Sequence, residues 1–396
     1  MKRNFVLFLV LIGLMPLTTS CLGVRQINEM AIVTAVGLGI GEKPGTVRLS
    51  VQIIRPADAR GQTGAPSGGT GEPIYSVSAD GKTIFEAIRN LGQFSSRRVY
   101  WAHNFLIVMQ EQYARNGITD MVDFFTRNHE LRMNTWVAVT PDQPEELIST
   151  ITGIEVVPGE AVDRLFREND VVGQAPGTNM MRLEEAFLSR STEPVLARLQ
   201  LTPRGISNKK PEEHGSIKQV KLAGAAAFME DKMVGWLSVK ETRGLMFFIE
   251  DLQSGIEVVS CPNNSEKTAS LEFKNASLKV TPSYRNKEPQ FQIQLTTSAD
   301  VVESGCGVSL KKIRQELEGK LGNRLQSEIE SVLGKAQKQY GSDILKFGDV
   351  FRNKYPAEWR TLSQRWNSVF SEAVTTVQVK ATIKNTVVKA PDGGVK

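Results

Sequence analysis

Histidine and cysteine are scarce, with three of each in 396 residues. So few cysteines exclude a disulfide-dense miniprotein and a zinc site built from cysteine alone. His103, His129 and His214 stand far apart in the chain and read as structural or surface residues. There is no G-x-S-x-G elbow, no H-E-x-x-H and no C-x-x-C-H. No later apolar run reaches 18 residues, so no spanning helix is expected in the body. Large excess charge is also lacking. Against 43 Asp+Glu stand 48 Lys+Arg, a formal +5 spread along the chain, which argues against nucleic acid as a partner. Apolar residues make up 40%, too many for a disordered chain. The length fits two or three domains with cores of their own.

What is present begins at the N-terminus. Residues 1–21 read MKRNFVLFLVLIGLMPLTTSC. Lys2 and Arg3 precede an apolar stretch, Phe5 to Met15, and small polar residues follow. This is the layout of a secretory signal. The stretch is ~16 Å long as a helix, half of what a spanning helix needs. Cys21 follows Thr18-Thr19-Ser20 and resembles the cysteine of a bacterial lipobox, although Leu17 stands one place further from it than is usual. The expectation is that residues 1–20 are removed and that Cys21 is lipidated. An N-terminus with two or three acyl chains stays on a membrane, where a single chain would not. The mature chain would sit on the outer face of a cytoplasmic membrane.

Ala31–Ile40 and Thr46–Arg55 are apolar, β-branched runs separated by Gly41, Pro44 and Gly45, and predict a hairpin. Residues 56–73 are rich in Gly and Pro and predict an exposed loop. Strands are expected at Ile74–Ser78, Val99–Met109 and Met133–Thr140, and helices at Thr83–Leu91, Tyr113–Arg127 and Pro144–Thr152. Leu165–Phe187 mixes helix with turns, and Arg204–Gly215 reads as a linker. Val220–Phe228 and Lys232–Val239 predict a hairpin around Glu230-Asp231. Leu271–Val280 and Gln290–Val302 alternate as strands. From Ser309, apolar residues recur every three or four positions to Ala336, the pattern of an amphipathic helix with Ser309 as N-cap. Short helices at Ile344–Phe351 and from Pro356 precede a closing strand, Val377–Ile383.

Motifs that carry chemistry are weak. Gly81-Lys82-Thr83 lacks the earlier glycine a phosphate loop needs, because Ser76 holds that place; a helix-capping turn explains it better. Gly37, Gly39 and Gly41 precede a hairpin and not a helix, so no helix N-terminus is available for a pyrophosphate. Glu145-Glu146 suit the dipole at a helix start better than acid–base work. Trp359 and Trp366 read as core at their spacing. Cys261 and Cys306 lie 45 positions apart. An exported protein allows their bond, which would stabilise by ~3–4 kcal/mol, but nothing in the sequence brings the two together. Neither has a basic neighbour that would activate it. Nothing calls for a cofactor or a metal.

Several blocks together resemble one family. They are Arg25–Gly39 (RQINEMAIVTAVGLG), Gly81–Ala87 (GKTIFEA), Arg97–Val108 (RRVYWAHNFLIV), Phe124–Arg132 (FFTRNHELR), Gly224–Leu252 and Asp343–Gly348 (DILKFG), followed by Trp359, Trp366 and the closing strand. No single block is a chemical motif; their order and spacing resemble the Ger(x)C family, the lipoprotein C subunits of spore germinant receptors. The resemblance runs from the signal to about residue 388. It implies an α+β fold of three domains, each a mostly antiparallel or mixed sheet flanked by helices. The expected borders are a signal at 1–20, an N-terminal region at 21–205 with a first domain at 21–152, and a middle domain at 153–260 with a linker near 205–217. A C-terminal α+β domain at 261–388 and a loose tail at 389–396 complete the chain. The resemblance also implies a setting at the inner membrane of the spore, a membrane-embedded A subunit and a transporter-like B subunit as partners, and no catalytic residues. Only Cys21 carries over as a functional position. Two other classes compete: a lipoprotein solute-binding protein of an importer, with two parallel-sheet lobes around a deep cleft, and a surface hydrolase, with a clustered catalytic set.

Overall fold

The computed structural model describes residues 30–55, 74–94, 97–128, 130–150, 157–169, 173–206, 216–250 and 254–386, with Thr152, Glu155 and Leu252. The expected signal with Cys21, the loop at 56–73, the centre of the expected linker and the tail at 389–396 lie outside them.

Runs such as LIVM in residues 106–109 are apolar at every position, which suits strands covered on both faces. They build the centre of a first sheet. Its strands are β1 (Met30–Ile40), β2 (Val47–Ile54), β3 (Ile74–Gly81), β4 (Arg98–Tyr100), β5 (Leu106–Gln110), β6 (Trp136–Thr140), β7 (Val195–Ile206), β8 (Ser216–Met229) and β9 (Lys232–Leu237). The order is β3-β2-β1-β5-β6-β7-β8-β9, with β4 beside the start of β1. Strands β1, β5, β6 and β7 run parallel, and the outer pairs are antiparallel. The helices are α1 (Ile84–Leu91), α2 (Glu111–Asn116), α3 (Thr119–Arg127), α4 (Pro144–Ser149), α5 (Pro158–Arg167) and α6 (Met180–Leu188). Ile107, Met109, Val137 and Val139 share one cluster with Ala87, Phe125 and Leu183, so α1, α3 and α6 cover that face. Leu106, Val108 and Ala138 share another with Ile148, Val162 and Phe166 of α4 and α5.

Three sequence expectations change here. Val99–Met109 is two strands, because a turn in which the Asn104 amide donates to the Trp101 carbonyl (2.9 Å) separates β4 from β5. The helix expected over Tyr113–Arg127 breaks at Gly117, whose φ of 123° no helix accommodates. Finally, residues 195–237 extend the first sheet, and no third sheet stands among the described residues. The cause is β7: Leu196 faces one helix layer while Ala197 and Leu199 face the other, as in an interior strand.

The second sheet contains β10 (Ser254–Cys261), β11 (Asn264–Arg285), β12 (Glu288–Ser304) and β13 (Val374–Thr386), in that order, with β13 parallel to β12 and the other pairs antiparallel. Its helices are α7 (Val239–Ile249), α8 (Leu310–Gly334), α9 (Phe347–Lys354), α10 (Pro356–Leu362) and α11 (Trp366–Glu372). Phe291, Ile293 and Leu295 of β12 pack on Leu317, Leu321 and Leu325 of α8 and on Phe347 and Phe370. Gln292, Gln294 and Thr296, on the other face, are exposed. Ser309 holds the N-cap position of α8, yet its side chain makes no capping bond. Helix α7 starts with a reciprocal box between Ser238 and Glu241. It also links the halves: Leu245 and Met246 belong to one cluster with Val195, Ala225 and Ala227 of the first sheet and Phe273 of the second.

Candidate functional site at the junction of the two sheets

A wholly buried carboxylate organises the junction. Asp343 lies in the short segment between Tyr340 and α9 and is fully buried. Its Oδ1 accepts from the amides of Leu345 (3.2 Å) and Phe347 (3.1 Å). Its Oδ2 accepts from the Gly348 amide and from Trp366 Nε1, each at 2.7 Å. Burial pushes this carboxyl up to about 6 despite the four donors, which favour the charged form. The backbone carbonyl of Asp343 accepts from the Glu193 amide at 3.0 Å, on the segment leading into β7. Glu193 in turn accepts from Asn367 Nδ2 and from the Glu230 amide, both at 2.6 Å. Its pKa lies above the ordinary range, because burial outweighs these two bonds. Gly348 has to be glycine: a Cβ there would stand 2.3 Å from the Ser191 carbonyl oxygen.

Beside this clamp opens a cleft of about 510 Å³, bounded by α6, the 189–195 segment, the end of α7 and residues 344–352. Its charges are largely paired. Arg182 binds Glu250, and Arg352 meets Asp349 at 3.1 Å. Lys346 caps α9 from the left-handed region, at φ 60°. Carboxylates, guanidiniums and an ammonium line the cleft, with no histidine or cysteine among its lining residues. The arrangement can hold the two sheets together through charge-assisted hydrogen bonds.

The residues singled out from sequence scatter. Cys21, His129 and His214 fall outside the described residues. His103 is exposed, with its ring 6.2 Å from that of Tyr100. Cys261 and Cys306 are joined in the second sheet, with Cα atoms 5.4 Å apart. Gly81-Lys82-Thr83 forms the entry to α1, where Thr83 Oγ1 accepts from the Glu86 amide. Gly37 lies under α4, where a Cβ would stand 2.7 Å from Pro144 Cβ. Glu145 and Glu146 occupy the first turn of α4. Trp359 and Trp366 meet edge to face at 5.0 Å in the core. Sequence reasoning missed Glu193 and Asp343 as a pair. Asp343 lay inside the DILKFG block, but nothing local says that it spans to residue 193. Among the described residues no group of three or more His, Cys, Asp or Glu could hold a metal ion.

The two helix-covered sheets and their clamped junction define a two-part α+β protein. Both parts match known models: residues 23–201 the spore germination protein N-terminal domain, and residues 223–387 the spore germination B3/GerAC like C-terminal domain. Spore germination protein KC of Bacillus subtilis (strain 168) is 25% identical over 383 residues, covering 93% of this chain and 92% of its own. Spore germination protein B3 of the same organism is 23% identical over 382 residues, covering 93% of each chain. The crystal structure of the GerBC protein shares the fold, at a TM-score of 0.56 and 20% identity, over 91% of this chain and 100% of that one. The chain belongs to the Ger(x)C family of spore germination proteins.

Proposed function

We propose that this chain is the lipid-anchored C subunit of a nutrient germinant receptor. It acts with a membrane-embedded A subunit and a transporter-like B subunit to start spore germination. The observation that carries the reading is the match of both halves, in order, to spore germination domains. In this proposal Cys21 is the acylated residue, the body lies on the outer face of the spore inner membrane, and Cys261 and Cys306 are bonded in the exported protein. The body couples its partners and catalyses nothing. The tether raises its concentration near membrane partners, so modest surfaces suffice for binding. In this reading the borders 21–152, 153–260 and 261–388 divide the chain by length only, since the middle stretch supplies β7, β8 and β9 to the first sheet.

No helix of the described residues is long and apolar enough to cross a membrane, so anchoring falls to Cys21 in this reading. The test is Cys21→Ala in spores. The expected result is loss of the protein from the membrane fraction and a lost nutrient response. An unchanged distribution and response would overturn the anchor. Crosslinking in spore membranes followed by co-purification should recover A and B subunits with this chain, and their absence would count against the receptor role.

A further inference from the structure

We infer that the crossing of α7 and α8 is a pH-operated latch between the two halves, closed while Glu328 is neutral and loosened when it ionises. The first argument is position. Gly244 of α7 lies so close to α8 that a Cβ there would stand 2.3 Å from the Glu328 carbonyl oxygen and 3.1 Å from Val332. A glycine leaves the room that any other side chain would fill. Glu328 thus sits where the two helix backbones touch, and it is buried with Oε2 unpartnered. Helix α7 also packs on both sheets, since Leu245 and Met246 share a cluster with Ala225, Ala227 and Phe273. A change at the crossing reaches the junction of the halves through it.

The second argument is the set of charges around Glu328. From β10 comes Glu257, also buried. Arg243 of α7 binds Glu257 and donates to the Ile256 carbonyl at 3.0 Å. Arg324, one turn before Glu328 on α8, is shared: its Nε lies 3.1 Å from Glu257 and 3.5 Å from Glu328. Lys240 of α7 also acts on Glu328. Glu241 is taken by Lys335 at 2.9 Å. Strand β13, which packs on α8, brings the apolar Val377, Val379 and Ala381. Glu257 thus engages both nearby arginines, and a second buried carboxylate lacks the donors that would offset its desolvation. Burial, and then the charge of Glu257, push Glu328 up to about 7, against 4.5 for the ordinary carboxyl. Opening the crossing returns the group to water and to its ordinary range. The closed form binds more protons between about 4.5 and 7, so opening becomes easier as pH rises through that window and levels off above it.

The test is hydrogen exchange read by mass spectrometry on the full chain from pH 5 to pH 8, with rates corrected for the intrinsic effect of pH on exchange. The expected result is protection over residues 239–249 and 324–332 that falls about tenfold or more from pH 5 to pH 7 and is nearly level beyond, while residues 106–110 of β5 change less. Glu328→Gln keeps the shape without the charge and should remove most of that fall. Asp343 and Glu193 belong to the clamp and titrate in both proteins, so the difference between wild type and Glu328→Gln isolates the crossing. An equal fall in the two proteins overturns the inference, as does a fall spread evenly over the chain. If Glu328→Gln is already open at pH 5, Glu257→Gln decides. Freeing Arg243 and Arg324 for Glu328 should move the fall to lower pH, and a fall that stays in place overturns the latch.

Discussion

In the first sheet, Ile107 and Met109 face one helix layer while Leu106 and Val108 face another. In the second, Phe291, Ile293 and Leu295 face helices while Gln292, Gln294 and Thr296 face solvent. The difference bears on what each half depends on. A strand clamped between two layers keeps half its apolar contacts if one layer loosens. The second sheet has a single layer, so its stability rests on α8, on the junction and on covalent closure. Changes at these supports should therefore hurt the second half first.

The largest effect is expected at the clamp. Asp343→Ala leaves four buried donors without an acceptor, at a cost of about 3–5 kcal/mol. Urea unfolding followed by exchange at β5 and at β12 should show the second sheet opening before the first. Asp343→Asn keeps one carbonyl acceptor and should lose less. Simultaneous opening of both sheets would mean that the clamp serves the two halves equally.

Next comes the staple. Cys261 ends β10 and Cys306 follows β12, so the bond ties the edge strand to the interior of the second sheet. Replacing both by Ser opens a closure of 45 residues, worth about 3–4 kcal/mol in the chain-entropy model. Faster exchange is expected in β10 and β11 with β5 unchanged. Mass measured without reductant reports whether the native chain carries the bond.

A smaller and pH-dependent effect lies under α8. Glu328 is 4% exposed and one of its oxygens has no hydrogen-bond partner. It faces Glu257, which binds Arg243 and Arg324. Burial, and then the charge of Glu257, push Glu328 up to about 7. Folded Glu328 thus holds its proton to about pH 7, while the unfolded carboxyl releases it near 4.5. The native state binds more protons in that window, so stability falls as pH rises from about 4.5 to 7. Glu328→Gln should flatten this fall and add about 1–3 kcal/mol at pH 8, read as the melting temperature across pH.

The same contrast governs what could be read from sequence. Alternation such as Phe291, Gln292, Ile293, Gln294 announces a one-sided strand, and β11, β12 and β13 were legible for that reason. The short apolar run Val99–Met109 looks alike whether it is one strand or two, because burial on both faces erases period two. Strand β7 was missed for a related reason: Leu196, Ala197 and Leu199 serve two layers at once. The junction was the least legible part. Glu193 and Asp343 are 150 residues apart, and a carboxylate that accepts four local donors looks like any loop aspartate until the fold closes around it. Helix α8 and the closing strand were clear because each has one periodic face.

The mildest change tests the open face directly. Gln294 lies between Lys279 of β11 and Gln378 of β13 in the sheet register. Valine there has higher strand propensity and touches no helix, so Gln294→Val should shift stability by no more than about 0.5 kcal/mol. Ile293→Val, one position away but under α8, should cost about 0.5–1.5 kcal/mol for a single methylene. The ratio of the two losses, measured in the isolated full chain, reports how one-sided the sheet is. The same pair compared in intact spore membranes adds a second reading. If Gln294→Val is neutral in isolation yet weakens recovery of partner subunits after crosslinking, a partner covers that face in the receptor. If it is neutral in both, the polar rows of β11, β12 and β13 remain open to solvent there, and the contact surface lies elsewhere on the chain.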